Sequence, residues 1–319
     1  MNAPSAGPRG PSSRARRIVT GFAILAAFLP LVWADAVGAM DAPAGRWLLP
    51  VALLLAAGGA GEIHRMLLPA GAGRAWTALG AAAVPLGAAL ASPAFLGREE
   101  AATPLSAAGG AAAALVVVTI LGLAAEIARY RPDTGALERV SAAALAGVFV
   151  GLPMAAVVGL RVSGTPSTLG GWHAPGMTPL VAMIAAAKGA DVAAYLAGST
   201  FGRRKMAPAL SPGKTWEGAA GAVAGALVAS WIVLVALRRT LAIPDGSTAM
   251  PLGGWAAHGI LVAIAGMAGD LAESLLKRET GIKDSGTTLG ALGGVLDLVD
   301  SLLFAAPVAW LLWTVAPPS

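Results

Sequence analysis

The sequence predicts an all-α, polytopic integral membrane protein of about nine transmembrane helices, with its N-terminus in the cytoplasm. Three observations predict it. The 319 residues are 56% hydrophobic and only 12% charged, with a mean hydropathy of +0.73. Apolar runs near the ~20 residues needed to span a bilayer recur along the chain. Lysine and arginine concentrate in alternate connections between those runs.

In order, the spans are expected at 18–35, 47–68, 75–97, 105–128, 140–160, 176–199, 217–237, 255–276 and 292–315. Many are rich in Ala and Gly, which lets helices approach closely in lipid. Trp33, Trp47, Trp76, Trp172, Trp216, Trp255 and Trp313 lie near span ends, where interfacial aromatics sit. With the N-terminus inside, sixteen of the 22 basic residues fall in the tail and the inside connections. Five fall outside, and Lys188 lies within a span. This places the connections 200–216 and 277–290 on the same, cytoplasmic side.

Residues 1–17 read as a disordered, basic cytoplasmic tail, 18–175 as the N-terminal transmembrane helices and 176–319 as the C-terminal transmembrane region with the charged clusters. Arg14–Arg17, the apolar run and Ala34-Asp35-Ala36 resemble a signal peptide, but further spans follow and the run serves as a first anchor. The absence of cysteine excludes disulfides, thiolate metal sites and cysteine nucleophiles. His64, His173 and His258 are too scattered for a histidine cage. The pI near 10.1 reads as topology rather than as nucleic-acid binding.

The most informative stretch is 269–301. Asp270, Glu273, Ser274 and Lys277 share a helix face at i, i+3, i+4 and i+7, with Glu273–Lys277 as an i,i+4 pair. Arg278, Lys283 and Asp284 follow at or in a glycine-containing connection. Asp297 and Asp300 share a face in the first two turns of the last span, where a carboxylate also suits the helix dipole. Gly293-Gly294 would allow close approach by backbone or by a phosphate. A charge in the bilayer costs about 2.5–3.5 kcal/mol or more, so such groups face a protein interior and mark a site. Carboxylates beside a basic, glycine-containing loop suggest a divalent metal with a phosphorylated ligand.

A second constellation spans 188–218. Lys188, Asp191 and Tyr195 lie at i, i+3 and i+7 inside a span, with Lys188–Asp191 readable as a simple ion pair. Beyond them come Arg203, Arg204 and Lys205, then Ser211-Pro212-Gly213-Lys214-Thr215, a basic loop entering a helix at Trp216. It lacks the first glycine of a P-loop, yet a basic loop at a helix start can cradle phosphate. Glu62 lies near a span end and could face the bundle.

Ser274-Leu-Leu-Lys277-Arg278, then Lys283-Asp284, Gly293-Gly294 and Asp297-x-x-Asp300 closely resemble the signature of phosphatidate cytidylyltransferases, the CDP-diacylglycerol synthases. Asp191, Tyr195, Gly202-Arg-Arg-Lys and Ser211-Pro-Gly-Lys-Thr-Trp-Glu-Gly218 resemble the same family in the same order. The resemblance is strong over roughly 180–310. It implies transfer of the cytidylyl group of CTP to phosphatidate, giving CDP-diacylglycerol and pyrophosphate, in phospholipid biosynthesis at the cell inner membrane with the site facing the cytoplasm. It makes 176–319 the catalytic region and implies Mg²⁺ on Asp270 and Asp297, supported by Asp300 and Glu273, with a second, monovalent cation as a further expectation. Lys277, Arg278, Lys283 and Asp284 join the two aspartates as catalytic positions. Asp191, Tyr195, Arg203, Arg204, Ser211, Lys214, Thr215, Ser274, Gly293 and Gly294 become substrate-binding positions, and a homodimer is implied. Two positions depart from the pattern. Gly290-Ala291-Leu292 stands where the family has Pro-Gly-His, and Leu298 where it has Arg.

Two other readings stay open. Intramembrane acids alone also suit a cation or proton transporter, and Leu292 and Leu298 suit an inactive or repurposed lipid-binding paralogue. A CDP-alcohol phosphotransferase is disfavoured, because its expected aspartate-rich helix is absent.

Overall fold

The structure, a computed structural model, describes residues 26–36, 43–68, 73–93, 95–97, 104–131, 135–162, 176–237, 250–282, 285–286, 288–289 and 293–315. The tail 1–17, His173, Lys283, Asp284 and Gly290–Leu292 lie outside them.

Among the described residues the chain forms nine helices: α1 (Ala26–Ala36), α2 (Leu49–Leu67), α3 (Arg74–Leu90), α4 (Pro104–Ala128), α5 (Ala136–Val162), α6 (Met177–Phe201), α7 (Trp216–Leu237), α8 (Gly254–Glu279) and α9 (Val295–Thr314). Each coincides with an expected span. Ala- and Leu-rich runs favour the helix, and the helix satisfies every backbone group where no water is present. Six helices, α4 to α9, are long and apolar enough to cross a membrane. The other three fall short of that measure. α1 is described over only a short segment, α2 ends on the polar Glu62-Ile-His64-Arg65, and α3 has 17 residues. The chain is thus a multi-pass, all-α membrane protein, and Val116, Val117, Ile120 and Ile127 of α4 lie exposed on its outer face.

One part departs from the helical expectation. The basic connection after α6 forms a short antiparallel ribbon, β1 (Lys205–Ala207) with β2 (Ser211–Thr215), in which Lys205 pairs with Thr215 and Ala207 with Ser211. The ribbon leads directly into α7. Thr215 caps that helix by accepting the Gly218 amide on Oγ1 at 3.1 Å, and Glu217 in the first turn accepts the Arg203 and Arg204 amides at 3.0 and 3.2 Å.

The core consists of three contiguous apolar clusters. One joins α2, α3, α4 and α5, a second joins α2, α3, α5 and α9, and the third joins α5 to α6, α7, α8 and α9. α9 therefore packs with both halves of the bundle. It contributes Leu296, Val299 and Leu303 to one cluster and Ala305, Ala306 and Ala309 to another, all essentially buried.

Close helix approach depends on missing side chains. A Cβ on Gly225 of α7 would overlap Ala193 of α6 and lie 2.5 Å from the Gly189 carbonyl oxygen. One on Gly221 would lie 2.5 Å from the Ala197 Cβ. The small-residue seam expected from composition is present here. At the other end of the bundle Arg161 of α5 makes a buried ion pair with Asp35 of α1, Nε to Oδ2 at 2.5 Å. Asp35 also accepts the Trp47 amide at 3.0 Å. The Ala34-Asp35-Ala36 segment is thus part of the packed bundle.

Gly225→Val is expected to destabilise the protein by about 1–3 kcal/mol, since neither backbone can yield to the added methyl groups. Gly109→Ala, where a Cβ meets nothing within 4 Å, should leave the melting temperature in detergent unchanged or slightly raised.

Candidate active site

The charged clusters meet at one end of the bundle, where α2, α4, α6 and α8 end and α3, α5, α7 and α9 begin. Contacts confirm the shared end. Arg65 Nη2 donates to the Ser285 carbonyl at 3.1 Å, Arg139 Nε to Glu126 at 2.9 Å, and Arg278 Nε to the Leu210 carbonyl at 3.2 Å. The two motif-bearing connections therefore lie together.

Between them is a cavity of about 590 Å³. Its lining comes from four elements and the ribbon. α6 presents Lys188, Asp191 and Tyr195, the ribbon Ser211, Gly213, Lys214 and Thr215, α7 Gly218 and Ala222, α8 Asp270, and α9 Asp297 and Asp300. The walls deeper in are small and apolar, while Tyr195 at the mouth is 75% exposed. Among the described residues no histidine lines the cavity. His64 bonds Thr77 at 2.9 Å and His258 bonds Ser230 at 3.0 Å, both within the packed bundle.

Three lysines hold the carboxylates. Lys214 Nζ reaches Asp270 Oδ2 at 3.0 Å, tying the ribbon to α8. Lys277 lies between Glu273, at 2.9 Å, and Asp297, tying α8 to α9. Lys188 Nζ bonds Asp191 at 3.1 Å, Ser301 Oγ at 3.0 Å and the Leu298 carbonyl at 3.3 Å, tying α6 to α9. The Ser301 hydroxyl donates in turn to Asp191 at 3.0 Å. Asp297 Oδ2 accepts the Gly294 amide at 2.7 Å, so this residue is both a cap and a site member. Asp300 accepts the Ser301 amide at 2.6 Å.

The remaining expected positions lie at the rim or behind the cavity. Arg203, Arg204 and Arg278 are exposed outside its lining. Ser274 is half-buried one turn beyond Asp270. Gly293 has φ +94° and abuts Asp297. The close approach that Gly294 allows is taken by protein groups, since a Cβ there would overlap Ser285 Oγ and lie 2.5 Å from Glu62 Oε2. Leu298 packs its side chain against the α2–α3–α5–α9 core, away from the lysine that its carbonyl accepts.

Glu62, Lys188 and Ser301 are additions to the expected site. Lys188 carried a usable signal, a lysine within a span. Glu62 carried only a weak one, an acid near a span end. Ser301 carried none.

The donor set suits a divalent cation in company with phosphate. Five acids, Asp191, Asp270, Glu273, Asp297 and Asp300, stand beside three bases, Lys188, Lys214 and Lys277. Asp270 is a neighbour of Asp300, and Glu273 of both Asp297 and Asp300. Among the described residues no three acids converge tightly enough to hold a metal alone. That suits Mg²⁺, which uses one or two carboxylates and completes its shell with water and phosphate oxygens.

Removing Lys277 leaves two carboxylates sharing a largely buried space. Lys277→Met is expected to cost about 3 kcal/mol, read as a lower melting temperature in detergent. Much of the loss should return in Lys277→Met/Glu273→Gln, a coupling that a double-mutant cycle would measure.

The chain is similar to several known proteins over part of its length. The uncharacterized protein YnbB of Escherichia coli (strain K12) is 41% identical over 128 residues, 40% of this chain and 39% of that protein. The phosphatidate cytidylyltransferase of Pseudomonas aeruginosa is 44% identical over 135 residues, 42% and 47% of the two chains. The phosphatidate cytidylyltransferase of Brucella suis is 41% identical over 138 residues, 43% and 47%. The chain thus spans less than half the length of each of these relatives. The profile described as Cytidylyltransferase family matches residues 15–316: the chain belongs to the cytidylyltransferase family.

Proposed function

We propose that the protein transfers the cytidylyl group of CTP to phosphatidate, giving CDP-diacylglycerol and pyrophosphate. The observation that carries this reading is one cavity lined by Lys188, Lys214, Asp270, Asp297 and Asp300, in which Lys214 pairs with Asp270 while Asp297 is held by Lys277 of α8. Relatives named phosphatidate cytidylyltransferase support the choice of substrates.

In the proposed reaction an oxygen of the lipid phosphate attacks the α-phosphorus of CTP. A new P–O bond forms, the bond from the α-phosphorus to the bridging oxygen breaks, and pyrophosphate leaves with that electron pair. The nucleophile is already anionic at neutral pH, so no histidine base is required. The demands on the protein are in-line placement and neutralisation of charge. Lys214 and Lys277 would exchange their carboxylate partners for phosphate oxygens and stabilise the leaving group. Arg278 at the rim would receive the departing pyrophosphate, and Arg203 and Arg204 would meet the lipid phosphate or CTP at the mouth. Asp191 and Ser301 keep Lys188 extended into the cavity. Mg²⁺ on Asp270 and Asp297, with Asp300 and Glu273 in support, would neutralise triphosphate charge and polarise the phosphoryl oxygen.

The positive-inside distribution supports a cytoplasmic mouth in the inner membrane, where a water-soluble nucleotide and a membrane lipid reach the same site. The dimer remains part of the proposal. A transporter is less well supported, because the acids stand beside a basic ribbon built for anions. A repurposed paralogue rests on Leu292 and Leu298 alone, and Leu298 faces the core.

Purified protein should release pyrophosphate only when CTP, phosphatidate and Mg²⁺ are all present. Asp297→Asn should lower that rate at least about a hundredfold, the scale of losing one transition-state electrostatic contact. Folded protein that binds CTP or phosphatidate without releasing pyrophosphate would establish the paralogue instead.

A further inference from the structure

Glu62 on α2 is 0% exposed and is absent from both charged motifs. Its carboxylate accepts four hydrogen bonds, from Thr288 Oγ1 at 2.7 Å, Leu296 N at 2.8 Å, Val295 N at 2.9 Å and Ser285 Oγ at 3.3 Å. Two of these donors are amides of the first turn of α9, which a helix leaves without partners of its own. α9 begins after Gly294, which has no side chain to supply a cap. A carboxylate 233 residues away in sequence does so instead, and the helix dipole favours negative charge there.

The surroundings are shaped to this carboxylate. A Cβ on Gly286 would lie 2.5 Å from Glu62 Oε1, and one on Gly294 2.5 Å from Glu62 Oε2. Arg65, on the same helix, donates to the Ser285 carbonyl at 3.1 Å. Asp297 follows Leu296 directly, and Asp300 lies nearly one turn further along the helix that Glu62 grips.

We propose that Glu62 is a positioning residue for the cytidylyl-transfer site. By holding the first turn of α9 it sets the height and rotation of that helix, so that Asp297 meets Lys277 and Asp300 faces Asp270. Glu62 touches no substrate and acts through α9. The proposal rests on the reading given under Proposed function.

The test uses the wild-type protein, Glu62→Gln and the pair Ser285→Ala/Thr288→Ala. Glu62→Gln keeps the side-chain shape but turns an amide NH₂ toward groups that themselves donate. Its kcat with CTP and phosphatidate should fall about 10–100-fold, the usual effect of losing a partner behind a metal or reactive group. The KM values should change little, and the Mg²⁺ concentration giving half-maximal rate should rise. Independently of activity, backbone amides of 295–300 should exchange with deuterium faster than in wild type, while those of α6 and α7 stay unchanged.

Unchanged exchange at 295–300 overturns the proposal. Faster exchange with wild-type kcat per folded molecule also overturns it, reducing Glu62 to a brace. If Glu62→Gln does not fold, the Ser285→Ala/Thr288→Ala pair carries the test. Faster exchange and lower kcat support the proposal, and wild-type behaviour in both overturns it. An inactive wild type would sink the cytidylyltransferase reading, and the exchange measurement would then decide whether Glu62 sets α9.

Discussion

Lys277 lies between Glu273 and Asp297, and the functional half of the bundle depends on that arrangement. A carboxylate in an apolar bundle is tolerable only with a partner. Here the partners belong to different elements, so satisfying the charges also fixes the helices. Lys277 joins α8 to α9, Lys214 joins the ribbon to α8, and Lys188 joins α6 to α9. The same three lysines are the groups that a triphosphate would recruit. In the proposed reaction, ion pairs that hold the cavity together would become phosphate contacts.

α9 connects this electrostatic network to the packing. Its first turn is capped by Glu62 from α2, its first two turns present Asp297 and Asp300 to the cavity and Leu296 and Val299 to an apolar cluster, and its later turns join the second cluster. A shift of α9 would therefore disturb the aspartates and two cores at once. Small residues make the framework rigid enough for this, since Gly221 and Gly225 bring α7 against α6 at backbone distance. The buried Asp35–Arg161 pair anchors the opposite end, far from the cavity.

Basic residues serve two purposes. Those at the helix ends define one face of the membrane protein, and a subset of them turns inward. Lys214 and Lys277 are partly buried against acids, whereas Arg203, Arg204 and Arg278 stay exposed at the rim.

The helices were legible in sequence because length and apolarity are local properties, although among the described residues six of them, not nine, are long and apolar enough to cross a membrane. So were the Lys188–Asp191 and Glu273–Lys277 pairs, since helical periodicity alone brings i,i+3 and i,i+4 neighbours together. Asp270 with Glu273, and Asp297 with Asp300, were legible as pairs on one face of their own helices for the same reason. The partners of those residues were not. Lys214 meets Asp270 across 56 positions and Glu62 meets α9 across more than 200. Nor did the linear pattern show that the approach allowed by Gly294 is used by Glu62, that Leu298 faces the core, or that residues 205–215 pair as a ribbon. Periodicity states which side chains share a face, but only the packing of one helix against another decides what that face meets.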